Sequence, residues 1–505
     1  MTQPTLSIID AMDDPAVFAP WFEGETWWGW RVVLKAAFGL PLSDEELAFF
    51  RIVAERDPPG RPVKELWIIA GRRAGKDSIA SVILTYLAAL FSDQGARLRP
   101  GERASVICLA VDRDQARIIL NYVRSYFEQV EMLRAMVAGE GTASGFELDN
   151  GVDVSILTSN YRAVRGRAIL AAVLDECAFW QDENSANPDI EVFNALRPGL
   201  ASLPESMLVG ISSPYARSGL LYKKHCDHFG KNSADVLVIK ATTRTLNPTI
   251  DQAIIDQAII EDPAAARAEW MAEFRDDVQA FLVREVIDAA VVPGRYELPY
   301  VADINYTAFV DPSGGSADSM TLAIAHRDKQ GTAVLDVVRE RRPPFSPDSV
   351  VEEYSALLKT YRLSKVTGDR YGGEWPRERF KVHGITYQVA EQSKNEIYGA
   401  VLPILNSGKA ELLDNSRLIA QLCGLERRTA RGGKDSIDHS RGAHDDIANS
   451  AAGALVATRA KNTLIISDQA LIASRRVPLR SSVGGHAQPL HRRPSVHTFT
   501  GSVGT

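Results

Sequence analysis

The sequence predicts an α/β protein built on two β-sheets. From Leu66 to Tyr215, short apolar runs of the buried-strand kind alternate with segments of helical periodicity, which is typical of a mostly parallel sheet covered by helices. After about residue 300, apolar runs form a hairpin-linked meander, and shorter alternating strands and helices follow it. At 505 residues the chain also exceeds one ordinary hydrophobic core, so two domains are expected.

Composition narrows the class of protein. Hydrophobic residues make up 45% and charged residues 24%, as in a soluble globular protein, and no apolar run has the length of a membrane span. The N-terminus lacks a signal-peptide pattern. The net charge of −7 gives no global indication of nucleic acid, so any DNA contact requires local basic patches. Four scattered cysteines without a CxxC pair predict reduced thiols and no zinc site.

A glycine-containing loop between a strand and a helix organises the first half of the chain. The apolar run Leu66–Ile69 predicts a buried strand, and an amphipathic segment from Lys76 to about Leu90 predicts a helix. This is the layout of a phosphate-binding P-loop, where backbone N–H groups, a helix dipole and a lysine meet the phosphates. The match is incomplete, because Ala70 replaces the usual Gly and Asp77 the usual Ser or Thr. A plain strand–turn–helix is the alternative. The predicted nucleotide-binding residues of the loop are Gly71, Arg72, Arg73, Ala74, Gly75, Lys76, Asp77 and Ser78.

An acidic pair follows a later apolar run. Ala171–Leu174 ends in Asp175 and Glu176, which is the Walker B arrangement: one carboxylate for the Mg²⁺ of a nucleotide, the next to polarise the attacking water. A further strand ends in Ser212 and Ser213, where open parallel sheets bind ligands, so these hydroxyls are candidate sensors of the γ-phosphate. A plain strand-ending turn is the alternative for the serines.

The first 65 residues carry an aromatic cluster. Its members are Trp21, Phe22, Trp27, Trp28 and Trp30. The cluster predicts a packed N-terminal subdomain, and a second possibility is that one of its rings holds an adenine near the loop.

Aspartates at element ends mark the second half. Asp311 follows the strand-like run Tyr306–Val310, Asp369 ends a later short strand, and Asp445 and Asp446 begin a helix. This is the skeleton of an RNase H-like nuclease, which clusters distant carboxylates around two divalent metals roughly 4 Å apart. Oxygen ligands suit Mg²⁺ or Mn²⁺. The alternative is that each aspartate is a turn or cap residue, Asp445 above all.

The order of these motifs resembles the large terminase subunit of tailed bacteriophages. The segments GRRAGK, RAVRGR, VLDE and GISSP resemble its P-loop ATPase half, and the aspartates resemble its nuclease half, together spanning about Leu66 to Ala460. The resemblance implies an N-terminal P-loop ATPase followed by an RNase H-like nuclease. It implies a subunit that uses ATP to move double-stranded DNA into a procapsid and cuts concatemeric DNA with a metal-dependent site.

The resemblance also assigns roles to residues. It implies that Arg72 or Arg73 contacts phosphates, Lys76 the β/γ-phosphates, Asp175 a metal and Glu176 the water. It also implies that Arg165, ahead of Arg167, is the arginine that stabilises charge on the transferring phosphoryl group. The alternative is a basic loop that faces solvent or DNA. His444 is a candidate for orienting a metal ligand or the scissile phosphate, with an ordinary surface histidine as the alternative.

Cofactors, partners and location follow from the same resemblance. ATP with Mg²⁺ is expected at the first site, and Mg²⁺ or Mn²⁺ at the nuclease, with Asp311, Asp369, Asp445 and Asp446 as ligands and catalytic residues. The implied partners are double-stranded DNA, a portal protein and a small terminase subunit, with a homo-oligomeric ring on the portal and no membrane. The implied location is the cytoplasm of the infected bacterial host and not the mature virion.

The expected domain bounds follow the motifs. They are residues 1–65 (N-terminal subdomain), 66–230 (ATPase core), 231–300 (connector), 301–460 (nuclease) and 461–505 (a basic tail without fixed structure). Two other functions stay open: another ATP-dependent DNA translocase or helicase with an RNase H-like nuclease, and an assembly or DNA-binding protein whose ATPase is degenerate because Asp77 replaces the hydroxyl.

Overall fold

A computed structural model describes residues 6–91, 98–158, 164–180, 188–316, 318–369, 374–429, 435–440 and 443–459. Contacts divide the chain into Met1–Arg459 and Ala460–Thr505. The predicted basic tail, 461–505, lies outside the described residues and stays a prediction. Within the described ranges, no helix combines the length and apolarity needed to cross a membrane. All four cysteines are free.

Eight strands form the first sheet. They are β1 (Glu65–Ala70), β2 (Ala104–Ala110), β3 (Val137–Thr142), β4 (Gly145–Leu148), β5 (Val152–Thr158), β6 (Ala168–Asp175), β7 (Met207–Ser212) and β8 (Val236–Ala241). They lie in the order β3-β4-β5-β2-β6-β7-β1-β8. From β5 to β8 all neighbours are parallel, and β3 and β4 add an antiparallel edge. The predicted mostly parallel sheet is confirmed.

Apolar residues on both faces explain why β1 lies inside this sheet. Leu66 and Ile68 belong to one core, and Trp67 and Ile69 belong to the core on the opposite face. Because successive side chains of a strand point to opposite faces, an uninterrupted apolar run requires a cover on both sides. Helices and 3₁₀ or π turns supply that cover.

The helices of the first half surround the sheet. They are α1 (Ile8–Asp13), α2 (Trp28–Ala37), α3 (Asp44–Ala54), α4 (Lys76–Thr85), α5 (Arg113–Gln129), α6 (Glu131–Arg134), α7 (Pro188–Leu200), α8 (Gly219–His228), α9 (Thr243–Leu246), α10 (Gln252–Glu261) and α11 (Pro263–Met271). A π-helical turn, Tyr86–Leu90, extends α4, and 3₁₀ turns cover Ala19–Trp21, Glu25–Trp27 and Cys177–Phe179.

The second sheet has six strands. The elements of this half are β9 (Val278–Ala280), α12 (Arg284–Ala290), β10 (Tyr306–Asp311), β11 (Met320–Arg327), β12 (Ala333–Arg341), α13 (Pro347–Thr360), β13 (Lys365–Gly368), α14 (Trp375–Val382), β14 (Thr386–Val389), α15 (Lys394–Asn406), β15 (Ala410–Glu411), α16 (Ser416–Cys423), β16 (Leu425–Thr429), β17 (Asp435–His439) and α17 (Asp446–Ala457). The sheet order is β14-β13-β10-β11-β12-β15. Strand β11 is antiparallel to both neighbours, whereas β10, β13 and β14 are parallel. This is the strand arrangement of an RNase H-like fold, as predicted.

Both ends of the expected connector, residues 231–300, pair with strands or pack in the cores of the two halves. Strand β8 lies inside it but pairs with β1 along its whole length, because its apolar run completes the first sheet. At the other end, β9 pairs with β16, and Ile287 and Ala290 are buried in the core of the second half. A short antiparallel sheet, β17-β16-β9, was not predicted at all.

Candidate active sites

The loop between β1 and α4 turns sharply around two residues of positive φ. Gly75 has φ +94° and Arg73 has φ +62°. A Cβ added at Gly75 would lie 3.0 Å from the Trp27 ring, and one at Gly71 would lie 2.2 Å from Thr243 Oγ1. Close approach therefore requires glycine at both predicted loop positions.

Residues far away in the sequence hold this loop from outside. Trp30 Nε1 donates to the carbonyl of Ala74 at 2.7 Å, Thr243 Oγ1 to that of Arg72 at 2.8 Å, and Asn247 Nδ2 to that of Arg73 at 2.8 Å. No local pattern marks Thr243 and Asn247, because they lie about 170 positions from the loop. Trp27 and Trp30 support the loop from behind and do not line its cavity.

Lys76 is buried at the start of α4 and points to the ends of the neighbouring strands. Its Nζ donates to Ser213 Oγ at 3.1 Å and lies 3.5 Å from Glu176 Oε1. Glu176 Oε2 in turn accepts from Ser212 Oγ at 2.9 Å and from Ser213 N–H at 3.2 Å. The structure thus brings together the loop lysine, the second residue of the acidic pair and both predicted serines.

Three carboxylates meet beside this lysine. Burial, and then the charges of Asp77 and Glu176, raise the pKa of Asp175 to about 8. Burial also raises the pKa of Asp77, with Glu176 adding to it. Asp175 Oδ1 is buried, and no donor among the described residues reaches it. An unpaired oxygen facing other carboxylates is what a divalent cation stabilises, so Asp77 and Asp175 fit a Mg²⁺ site.

A cavity of about 500 Å³ opens over the loop. It is lined by Arg72, Arg73, Ala74, Gly75, Lys76, Asp77, Ser78, Gln115, Tyr122, Glu176 and Phe179. The volume lies in the range of small-molecule sites. Gln115, Tyr122 and Phe179 were not predicted, and the exposure of the Tyr122 ring on α5 is seen only in the structure.

Arg165 and Arg167 lie away from this cavity. Both precede β6, whose other end carries Asp175, and eight strand residues at about 3.3 Å each separate the two ends by roughly 23 Å. Arg165 lines a separate depression beside Glu191 and Asn194. An arginine side chain cannot span that distance, so within a single chain the structure does not bring Arg165 to the nucleotide site. Residues 159–163 of the same segment lie outside the described ranges.

A second site forms where β10 and β13 end. These strands are parallel, with Val310 opposite Gly368, so Asp311 and Asp369 follow paired residues on neighbouring strands. Adjacent strands lie about 4.8 Å apart, which places the two aspartates well within the distance that a metal pair requires. The structure therefore brings together two aspartates that are 58 positions apart in the sequence.

Asp311 lies at the centre of this carboxylate cluster. Burial raises its pKa to about 7, a hydrogen bond from Asn449 opposes the rise, and the charges of Asp446, Asp369 and Asp445 add to it. Asn449 Nδ2 donates to Asp311 Oδ2 at 2.7 Å and is itself buried. Asn449 was missed because a polar residue one turn into a helix gives no distinctive signal.

Asp445 and Asp446 have different surroundings. Asp445 accepts hydrogen bonds from Lys394 and from Tyr398 Oη, the latter at 2.7 Å. Asp446 accepts one from Ser319 N–H at 3.2 Å, and burial together with the charge of Asp445 raises its pKa to about 6. The charge of Asp446 also affects Asp311 more than that of Asp445 does. Asp446 is therefore the better candidate ligand, which the sequence left undecided.

The remaining residues of this centre lie at its rim. His444 is exposed, and its Nδ1 lies 3.7 Å from Asp318 Oδ1. Asp318 contributes to the raised pKa of Asp446 and is a carboxylate that the sequence reasoning missed. Converging half-buried carboxylates fit a divalent cation, and Asp311, Asp369 and Asp446 are the residues that would hold it.

A direct hydrogen bond joins the surroundings of the two sites. Tyr215 follows the serines at the end of β7, and its Oη donates to Glu426 Oε2 on β16 at 3.0 Å. Glu426 also pairs with Arg428 at 3.0 Å, and Arg428 donates to the carbonyl of His439 at 3.1 Å. The turn beside Lys76 and the hairpin beside the aspartate cluster are thus in contact.

Comparison with known proteins gives matches among solved structures. No family model matches the chain, and no curated protein matches it. Solved structures that resemble it across most of its length are large terminases of several phages.

The HK97 bacteriophage large terminase has 15% identity and a TM-score of 0.38, with 85% of this chain and 99% of that chain covered. A large terminase from a thermophilic bacteriophage, solved in complex with ADP, has 11% identity and a TM-score of 0.37, covering 86% and 99%. The large terminase nuclease of thermophilic phage G20c with bound magnesium has 18% identity and a TM-score of 0.30, covering 34% and 94%. At such identities and TM-scores the likeness carries no argument, so the functional assignment rests on the site residues.

Proposed function

We propose that the protein is a DNA-packaging motor subunit of a tailed bacteriophage. It hydrolyses ATP to move double-stranded DNA into a procapsid and cuts concatemeric DNA at a metal-dependent endonuclease site. Its proposed partners are the portal protein and the small terminase subunit, it acts in the cytoplasm of the infected host, and it is absent from the mature virion. The observation that carries the proposal is the presence of two carboxylate centres at the ends of parallel strands in two separate sheets, one of them beside a buried loop lysine.

The first centre is suited to phosphoryl transfer to water. Lys76 supplies positive charge at the loop, and Glu176 is the base that orients and polarises the attacking water. Mg²⁺ at Asp77 and Asp175 would neutralise charge on the nucleotide phosphates. Because Ser213 contacts both Lys76 and Glu176, it is placed to register whether the terminal phosphate is present. Tyr122 and Phe179 offer aromatic surface in the same cavity.

The second centre is suited to phosphodiester hydrolysis. Asp311, Asp369 and Asp446 would hold Mg²⁺ or Mn²⁺, and the bound ion would supply Lewis acidity for activating water and stabilising the leaving oxygen. Asn449 fixes the orientation of the Asp311 carboxylate through its 2.7 Å hydrogen bond. His444, exposed at the rim beside Asp318, is the proposed contact for the DNA backbone.

The hydrogen bond between Tyr215 and Glu426 favours a protein in which the ATPase and nuclease sites are coupled over one in which they are independent. The tyrosine lies two residues beyond Ser213, and the glutamate belongs to the hairpin that borders the aspartate cluster. A change at the nucleotide site that moves Ser213 therefore acts on the hairpin through two residues of backbone and one hydrogen bond.

The test measures ATP turnover with and without double-stranded DNA, and then with an empty procapsid that carries its portal. The proposal expects turnover that DNA stimulates and DNA that becomes protected from nuclease only when the procapsid is present. Stimulation by DNA without protection indicates a general translocase. Absence of any turnover indicates the assembly protein with a degenerate ATPase.

A further inference from the structure

Lys394, the first residue of α15, reaches between two carboxylates beside the nuclease centre. Its Nζ lies 2.8 Å from Asp445 Oδ1 and 2.7 Å from Asp445 Oδ2, and 3.2 Å from Asp438 Oδ1 on β17. Asp445 is almost fully buried, with 4% of its surface exposed. The ammonium group therefore neutralises a carboxylate that water hardly reaches.

This pairing occupies the acceptor positions of Asp445. Both of its oxygens face Lys394, and Tyr398, one turn further along α15, donates to Oδ2 at 2.7 Å. A carboxylate has about four lone-pair positions, so few remain for a metal ion. The side-chain carboxylate of the neighbouring Asp446 accepts only the N–H of Ser319, at 3.2 Å, among the hydrogen bonds seen in the described residues.

The first turn of α15 is built to hold Lys394 in this place. A reciprocal hydrogen-bonded cap between Ser393 and Glu396 fixes the helix start. Asn395 accepts from the N–H of Ile437 at 2.7 Å and so ties the turn to β17. A lysine at a helix N-terminus is disfavoured by the helix dipole. The position of Lys394 is therefore explained by its contacts with Asp438 and Asp445 and not by a preference of lysine for the start of a helix.

The group around the ammonium has the donor set of a metal site. One ligand atom each from Asp438, His439 and Asp445 lie within 4.8 Å of one another. Two carboxylates and an imidazole are a common ligand set for divalent ions. Lys394 Nζ touches two members of this group.

We propose that Lys394 is a positioning residue of the nuclease centre, an internal cation that closes the site formed by Asp438, His439 and Asp445. It withholds Asp445 from the metal ions and leaves Asp311, Asp369 and Asp446 as their ligands. The proposal rests on the proposed nuclease function. It also gives the hairpin strand β17 a fixed attachment to the carboxylate cluster, because one ammonium binds Asp438 and Asp445 together.

The experiment counts divalent ions bound by the full chain. Bound Mn²⁺ is measured without nucleotide, by titration with detection of the free ion, in the wild type and in K394M, K394R, D445N, D446N and the double variant K394M/D445N. Methionine matches the length of lysine without its charge. K394M is expected to bind one Mn²⁺ more than the wild type, and K394R and the double variant are expected to match the wild-type number. D446N should weaken Mn²⁺ binding at least tenfold, and D445N less than threefold.

Two results overturn the proposal: an unchanged ion count in K394M, or a loss of affinity in D445N as large as that in D446N. If K394M does not fold because Asp445 is left buried and unpaired, the comparison of D445N with D446N decides alone. Failure of the wild type to cut DNA would remove the nuclease assignment but would not change the ion counts, so the two failures are distinguishable.

Discussion

Replacing Asp311 by Asn should stabilise the metal-free protein, by an amount that depends on pH. In the folded chain, burial and then the charges of Asp446, Asp369 and Asp445 raise the pKa of Asp311 from 3.8 to about 7, against the hydrogen bond from Asn449. Between these values the folded state holds a proton that the unfolded state has lost, so stability falls as pH rises. Above pH 7 this loss of stability is complete. Asparagine keeps the shape and carries no charge.

The size of the effect follows from the two pKa values. Each pH unit between them is worth about 1.4 kcal/mol, so D311N should gain up to about 4 kcal/mol at pH 8 and less than half of that at pH 5. Relaxation around the charge reduces this upper limit, and a gain of roughly 1–3 kcal/mol at pH 8 is expected.

The assay is urea unfolding at pH 5 and pH 8, in chelator and in excess Mg²⁺. Without nucleotide, Mg²⁺ should stabilise the wild type, because it binds the folded aspartate cluster and not the unfolded chain, and it should stabilise D311N less, since that variant keeps only the site at Asp77 and Asp175. Asp336 is a matched control, since it is buried in the same sheet but pairs with His326 at 2.8 Å, so D336N should keep the response to Mg²⁺. A D311N variant that is less stable than the wild type at pH 8, or a gain equal at both pH values, would refute the reasoning.

Three further predictions concern the nucleotide site. K76A should lower ATP turnover at least a hundredfold while leaving DNA cleavage within twofold, as measured by phosphate release and plasmid cutting; near-normal turnover would remove the loop from the mechanism. E176Q should retain ATP binding, measured by calorimetry, and lose hydrolysis at least a hundredfold, because the amide cannot polarise water; wild-type turnover would show that Glu176 is not the base. R73A should reduce turnover at least tenfold, whereas R165A should stay within twofold, since Arg73 lines the nucleotide cavity and Arg165 does not; the opposite ranking would mean that a second copy supplies Arg165.

Local patterns in the sequence were sufficient for most strands and helices. The run Leu66–Ile69 was predicted as a buried strand, and it lies inside β1, because a continuous apolar run of this length is typical of a buried strand. Asp311 and Asp369 became candidates for one site because both stand at the ends of predicted strands, in the pattern of an RNase H-like nuclease.

Contacts between residues far apart in the chain could not be predicted from local sequence patterns. Strand β8 was assigned to a connector because its pairing with β1 joins segments about 170 residues apart, and no local pattern reports such a partner. Lys394 was missed for the same reason: a lysine at a helix start looks solvated until Asp438 and Asp445 are brought to it. Arg165 was assigned to the nucleotide site by the resemblance alone, and the structure shows that the length of β6 separates it from Asp175.

The most direct test of the two-site assignment measures ATP turnover and Mn²⁺-dependent DNA cleavage in the same preparations of wild type, E176Q and D311N. The wild type should show both activities, E176Q should lose turnover and keep cleavage, and D311N should lose cleavage and keep turnover. Loss of both activities in either variant, or a wild type that neither hydrolyses ATP nor cuts DNA, would contradict the assignment.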